Sequence, residues 1–249
     1  SRVIALIRRD PDDEPAIDAE IRRPGTSGPG EAVLLRLYGP LGEHPDSVVT
    51  PLLVPDAPVV VWWPGRGPAD PASDPVGRLA QRRITDALRA EDPLHDLRER
   101  VAHYRPGDTD LTWTRLTPWR SLLASVMDQP SGWVTSARVT AEPRYPSAEL
   151  LASWLSERLA IPVERRASDG PGLTEVRLST EQGEVVISRT DGRTATLSRS
   201  GQPDQTVALA RRGAALALAE ELRRLDADET YASAARHLGD VAAGSGAGK

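Results

Sequence analysis

Short, continuous apolar runs separated by proline- and glycine-rich stretches place the strongest constraint on the fold of the first half of this chain. The runs occupy residues 3–7, 32–38 and 59–63, and a turn-rich stretch such as 23–30 lies between two of them. Apolar runs without alternating polar residues are typical of strands that are covered on both faces. The pattern therefore predicts an α/β N-terminal domain over residues 1–131, with a short, mostly parallel sheet and helices.

Two cap signatures predict helices in this domain. Asp74 precedes a proline, and apolar residues then recur at intervals of three and four positions as far as Leu88. Thr117 precedes a proline in the same way, and an apolar stretch follows as far as Met127. We expect a helix after each cap and place the domain boundary at residues 128–132.

The second half of the chain has a different pattern, with amphipathic helices and short alternating runs. A strand is predicted at residues 133–141 and a helix at 147–159. Four alternating runs separated by turn residues then predict an antiparallel meander, at residues 173–179, 184–188, 195–198 and 206–210. Helices are expected at 214–225 and from Asp226 to Leu238. This predicts an α+β C-terminal domain over residues 132–239, followed by a disordered tail at 240–249.

Composition excludes several classes of function. The net charge of -5 argues against binding to nucleic acid or an anionic membrane, because both need a concentrated cationic surface. The chain has no cysteine, which excludes disulfides, thiolate metal sites and a cysteine nucleophile. The run at residues 59–63 is far shorter than the roughly 18 residues of a membrane span. We expect a cytoplasmic protein with no membrane segment.

A search for catalytic or cofactor sites finds only weak candidates. Gly65 and Gly67 follow a strand, but prolines and Asp74 come next where a phosphate loop would need backbone N–H donors and a helix N-terminus. Asp108 and Asp110 suit a turn better than a magnesium site. The four histidines form neither a metal-ligand spacing nor a nucleophile motif. We therefore predict no catalytic residue, no metal and no cofactor.

The tryptophans are the more unusual feature. The chain has six tryptophans and no phenylalanine. Trp62 and Trp63 are neighbours on a strand, so their side chains point to opposite faces. Each of them, like Trp113 and Trp119, is compatible either with the core or with a protein interface, where tryptophan and arginine carry much of the binding energy.

Four segments of the sequence carry a resemblance to one protein family. They are VVVWWPG at 59–65, AQRRITDA at 80–87, PGDTDLTWTRLTPWR at 106–120 and AEELRRLD at 219–226. Together with Glu229 and Tyr231, these segments closely resemble the OpcA family, the bacterial glucose-6-phosphate dehydrogenase assembly proteins. The resemblance extends from Ser1 to about Leu238.

The resemblance implies a non-catalytic partner that binds glucose-6-phosphate dehydrogenase, promotes its active oligomer and raises its activity in the oxidative pentose phosphate pathway. Family members usually carry a segment ahead of the strand that begins here at Arg2, and some use cysteines for redox control, which this chain lacks.

We predict that tryptophans and arginines of the matching segments form the partner interface. Each of them would either contact the partner or support a residue that does. They are Trp62, Trp63, Arg66, Arg82, Arg83, Trp113, Arg115, Trp119 and Arg120. For the arginines the other interpretation is an exposed helix face with ion pairs such as Arg82 with Asp86. The alternative function is a small-molecule module, an enzyme or sensor, that binds a sugar phosphate or nucleotide near residues 63–75.

Overall fold

The computed structural model describes residues 2–23, 25, 30–128 and 132–246, with side chains as far as residue 241. The chain divides into two compact units. The first unit comprises Ser1–Val61 and Ser73–Gln81, and the second comprises Trp62–Ala72 and Arg82–Lys249. Within the residues described, no helix has both the length and the apolar character needed to cross a membrane.

The first unit contains a three-stranded sheet of order β1-β3-β2. Strand β3 (Glu31–Tyr38) lies parallel to β1 (Arg2–Arg8) and antiparallel to β2 (Ala16–Arg22). A short helix α1 (Pro45–Val49) follows, between 3-10 turns at Gly39–Glu43 and Thr50–Leu52. The predicted strands at residues 3–7 and 32–38 are confirmed.

The expectation that these strands are covered on both faces is wrong. Only alternate residues of β3 are buried, namely Val33, Leu35 and Leu37, so one face of the strand packs into a core while the residues of the other face are partly exposed. Strand β2 was not predicted, because acidic residues and arginine separate its apolar side chains. Its Ile17 and Ile21 are exposed.

Residues 74–88 form turns and a strand rather than the predicted helix. The cap chemistry is present, because the Asp74 carboxylate accepts hydrogen bonds from the amides of Val76 and Gly77. Only a 3-10 turn, Gly77–Leu79, follows before strand β5 (Arg82–Thr85). The β-branched side chains of Ile84 and Thr85 favour an extended backbone, and β5 is buried along its whole length.

A further three-stranded sheet has the order β4-β5-β6 and includes β4 (Val60–Trp62). Strand β5 pairs in parallel with β6 (Asp108–Asp110). The helices around these strands are α2 (Pro93–Ala102), α3 (Leu111–Thr114) and α4 (Thr117–Met127). The predicted helix at 117–127 is confirmed, whereas α2 was not predicted.

A six-stranded sheet of order β12-β11-β10-β9-β7-β8 forms the rest of the second unit. Its strands are β7 (Val134–Ala141), β8 (Val163–Ala167), β9 (Leu173–Thr180), β10 (Gly183–Ser188), β11 (Thr194–Arg199) and β12 (Gln205–Ala208). The meander from β9 to β12 is antiparallel, as predicted. The unpredicted β8 pairs in parallel with β7, so the sheet is mixed.

Three helices accompany this sheet, namely α5 (Pro146–Leu159), α6 (Ala214–Glu221) and α7 (Glu229–Gly246). Helix α7 continues through residues 240–246, which were expected to be disordered. Residues 247–249 of the predicted tail lie outside the described residues.

A single core spans the predicted domain boundary. Ala87 and Trp113 belong to the same buried cluster as Leu151, Ile187 and Leu238. Residues from both predicted domains, 1–131 and 132–239, therefore pack into this core.

Candidate functional site

The loop that follows β4 presents one exposed cation of the predicted interface. Arg66 is exposed, whereas Trp62 and Trp63 are half-buried. The amide of Trp63 donates to the carbonyl of Ile84 at 3.0 Å, which attaches the loop to β5. A Cβ atom on Gly67 would lie 3.3 Å from Thr85 Cγ2 and 3.4 Å from a terminal nitrogen of Arg100. The loop thus rests directly on these side chains.

A buried ion cluster supports the loop. Arg100 donates to Asp110 at 3.4 Å and to Asp96 at 3.0 Å. The Asp110 carboxylate, which is fully buried, also accepts hydrogen bonds from Thr85 Oγ1 at 2.6 Å and from the amide of Thr112 at 2.9 Å. Asp110 therefore anchors the turns around β6.

Asp108 has a similar structural role at the other end of β6. Its carboxylate accepts from Arg83 Nε at 2.5 Å and from the amide of Arg105 at 2.7 Å. Burial raises the pKa of Asp108, and the hydrogen bonds from Arg83 and the Arg105 amide oppose this change. Within the described part of the chain, no group of three or more acidic or histidine side chains could hold a metal ion.

The predicted ion pair between Arg82 and Asp86 does not form. Arg82 is buried and bonds instead to Glu221 and to the carbonyl of Asp226. Asp86 pairs with Arg115. The pairing of residues four positions apart requires a helix, and this segment is a strand.

Trp113 and Trp119 lie in the core, with 0% and 2% of their surface exposed. The indole N–H of Trp113 donates to Asp228 at 2.8 Å, and the guanidinium carbon of Arg120 lies 3.8 Å from the Trp113 ring centroid. Burial lowers the pKa of Arg120, and the charge of Asp228 opposes this change. These residues therefore hold the segment around residue 228 against α3 and α4.

The structure thus separates the nine predicted interface residues by exposure. Arg66 is accessible, Trp62, Trp63, Arg115 and Arg120 are partly accessible, and the other four are buried. The sequence argument did not select Trp133, which is 81% exposed at the start of β7. Its exposure could have been inferred from its position in the sequence. Trp133 directly follows Gly132 and precedes the alternating part of the strand.

Two family models match along this chain. Residues 1–102 match the model described as the glucose-6-phosphate dehydrogenase subunit N-terminal domain of OpcA. Residues 106–235 match the model described as the C-terminal domain of the same subunit. The chain belongs to the OpcA family. The resemblance seen in the sequence is thereby confirmed.

One relative of this OpcA-family chain comes from Synechocystis sp. and carries the provisional name OxPP cycle protein OpcA. The two are 28% identical over 140 residues, which cover 52% of this chain and 29% of the relative. The chain therefore spans less than a third of the length of that relative.

Among solved structures, the chain is similar to KijD10, a 3-ketoreductase from Actinomadura kijaniata. In the open conformation, with TDP-benzene and NADP, the TM-score is 0.48 at 8% identity, over 82% of this chain and 79% of that one. A second KijD10 structure with the same ligands gives a TM-score of 0.47 at 11% identity, over 78% and 79%. At these scores the similarity supports no conclusion about function.

Proposed function

We propose that this OpcA-family chain binds glucose-6-phosphate dehydrogenase in the bacterial cytoplasm, without being an enzyme itself, and promotes the active oligomer. The observation that carries the proposal is the match of both family models, each described as a domain of a subunit of that dehydrogenase. A protein partner shifts an oligomeric equilibrium only when it binds one state better than the other. Activation would therefore follow from preferential binding to the active form.

The exposed residues favour a contact surface that includes the loop after β4. Arg66 projects from this loop, and the ion pairs of Arg100 lie beneath it. A loop fixed in this way loses little conformational entropy on binding. Arginine is also among the residues that most often carry binding energy at interfaces.

Trp133 offers a second exposed contact. A tryptophan with 81% of its surface accessible is unusual, because its large apolar ring gains free energy when it is covered. The backbone around it is fixed by the amide of Glu181, which donates to the Trp133 carbonyl at 3.3 Å. We therefore expect Arg66 and Trp133 to contribute most clearly to binding of the partner.

The proposal can be tested by sedimentation velocity and a rate assay on the purified cognate dehydrogenase, with and without this chain. We expect a faster-sedimenting complex and a higher rate at a given dehydrogenase concentration. Dilution of the dehydrogenase should increase the difference, because an assembly factor matters most when subunits dissociate. If neither the sedimentation nor the rate changes at micromolar concentrations of both proteins, the proposal is wrong.

A further inference from the structure

A small cleft in the second unit has an unusual concentration of arginine. Its lining includes Arg115, Arg189, Arg211 and Arg212, and its volume is about 40 Å³. A water molecule needs roughly 10–15 Å³ by the same measure, so the cleft has room for a group of several heavy atoms.

Among the residues that the structure describes, two of these four arginines are paired with a carboxylate. Arg115 is paired with Asp86, and Arg212 with Glu220. Among residues 2–128 and 132–241, as far as they are described, no carboxylate lies within ion-pair distance of Arg189 or Arg211. The cleft therefore carries two positive charges that no direct ion pair balances.

Arg189 places one of these charges in the interior. The residue is 3% exposed, and its terminal nitrogens donate to the carbonyls of Leu209 at 2.8 Å and Leu173 at 2.9 Å. Its Nε is buried without a hydrogen-bond partner among the described residues. Burial lowers the pKa of Arg189, and the charge of Arg211 adds to this effect while Tyr145 opposes it. A buried cation without a counterion is costly, and a bound anion would reduce that cost.

Nearby Asp191 does not act as the missing counterion. Its carboxylate accepts hydrogen bonds from the amides of Arg193 and Thr194 and from the Thr194 hydroxyl, at 2.7 to 2.8 Å. Its negative charge acts on Arg189 from a distance only. The carboxylate is therefore engaged in its own turn.

Two further polar side chains that line the cleft, Tyr145 and Arg211, both lie close to Gly172. A Cβ atom on Gly172 would lie 3.3 Å from the Tyr145 hydroxyl and 3.5 Å from a terminal nitrogen of Arg211, so the two polar groups approach the same point. Gly172 has a φ of +66°, a conformation that favours glycine. The Arg211 amide donates to the carbonyl of Gly192 at 2.9 Å, which fixes the start of its side chain.

We propose that this cleft binds a phosphoryl group, either as free phosphate or at the end of a small metabolite. Arg189 supplies the buried charge, while Arg211 and Tyr145 supply donors at the opening. The guanidinium fork of Arg211 matches phosphate oxygens in geometry. A phosphoryl group carries about -1.5 to -2 charges at neutral pH, which matches the two unbalanced cations better than a single carboxylate does. This site is separate from the loop at residues 63–75 and does not depend on dehydrogenase binding.

The test is calorimetric titration of the full chain with inorganic phosphate at constant ionic strength. We expect saturable binding that Arg211→Gln weakens at least about tenfold, because the substitution removes a charged hydrogen-bond donor. Arg211 is exposed, so the variant should keep the melting temperature of the parent chain. Arg98→Gln, which changes an exposed arginine on α2, is the matched control and should bind phosphate normally.

Titrations with other ligands distinguish free phosphate from a phosphorylated metabolite. Tighter binding of glycerol 3-phosphate than of phosphate, with the same loss in Arg211→Gln, would support a phosphorylated metabolite. Equal affinities would support the phosphate group alone. The proposal is overturned if phosphate does not bind saturably, if Arg211→Gln and Arg98→Gln bind it equally, or if acetate binds as tightly as phosphate.

Discussion

Arg115 holds the buried carboxylate of Asp86 through two hydrogen bonds, of 2.6 and 2.8 Å, that join its terminal nitrogens to both carboxylate oxygens. Asp86 is fully buried at the end of β5, and Arg115 directly follows α3. Burial lowers the pKa of Arg115, but the hydrogen bonds and charge of Asp86 raise it by more. The pair therefore links the two elements.

Replacing one member of this pair should destabilise the protein strongly. Arg115→Met leaves Asp86 buried without a counterion, and we expect the free energy of unfolding to fall by about 3 to 5 kcal/mol. The double variant Asp86→Leu with Arg115→Met should lose less than Arg115→Met alone, because no unpaired charge remains. Urea unfolding of the parent chain, of each single variant, Arg115→Met and Asp86→Leu, and of the double variant measures both effects. A double variant that loses the sum of the two single losses would show that the residues are not coupled.

Two tryptophans should respond to substitution in opposite ways. Trp119→Ala removes a side chain that is 2% exposed, and we expect a loss of about 3 to 5 kcal/mol in the free energy of unfolding. Trp133→Ala removes a side chain that is 81% exposed and should change that free energy by no more than about 0.5 kcal/mol. Denaturant unfolding followed by circular dichroism tests this without relying on tryptophan emission. If Trp133→Ala lowers the free energy of unfolding by several kcal/mol, the Trp133 ring is packed against the protein and not exposed.

Binding to the dehydrogenase should depend on the exposed residues rather than on the buried ones. On the proposed function, Arg66→Ala and Trp133→Ala each weaken the complex by more than about 1 kcal/mol, or roughly fivefold in Kd, with an unchanged melting temperature. The exposed Arg98→Ala is the control and should bind like the parent chain. Surface plasmon resonance measures the Kd of each variant for the dehydrogenase and tests this prediction. If both variants bind normally while the parent complex is confirmed, the contact lies elsewhere on the surface.

Asp191 should stabilise the turn between β10 and β11 only above its depressed pKa. Hydrogen bonds from the amides of Arg193 and Thr194 and from the Thr194 hydroxyl lower the pKa of Asp191 from 3.8 to about 2. The stabilisation is fully present above the unfolded pKa and is lost as the pH falls from 3.8 to about 2. The difference in urea midpoint between the parent chain and Asp191→Asn should therefore shrink over this range. A difference that stays constant down to the lowest pH would contradict this account.

Local sequence signals predicted the elements whose patterns persist over many residues. The proline-capped α4 and the turn-separated strands β9 to β12 occur where their periodicity placed them. The same reasoning failed at residues 82–85, where apolar spacing suggested a helix but pairing with β6 formed a strand. Strand β8 was not predicted because its arginine and glutamate side chains give it no run of apolar residues that would indicate a strand.

In the candidate sites, too, the sequence predicted some features and only the tertiary structure decided others. The sequence alone identified the family and the backbone hydrogen bonds that the Asp108 and Asp110 carboxylates accept, because these depend on local order and neighbouring residues. Only the tertiary structure decided that Trp113 and Trp119 are core residues. It also decided that Arg189 and Arg211 line one cleft, with no neutralising carboxylate in the described part of the chain. Burial and ion pairing between residues distant in the chain depend on how the elements pack, and no local pattern of residues encodes that packing.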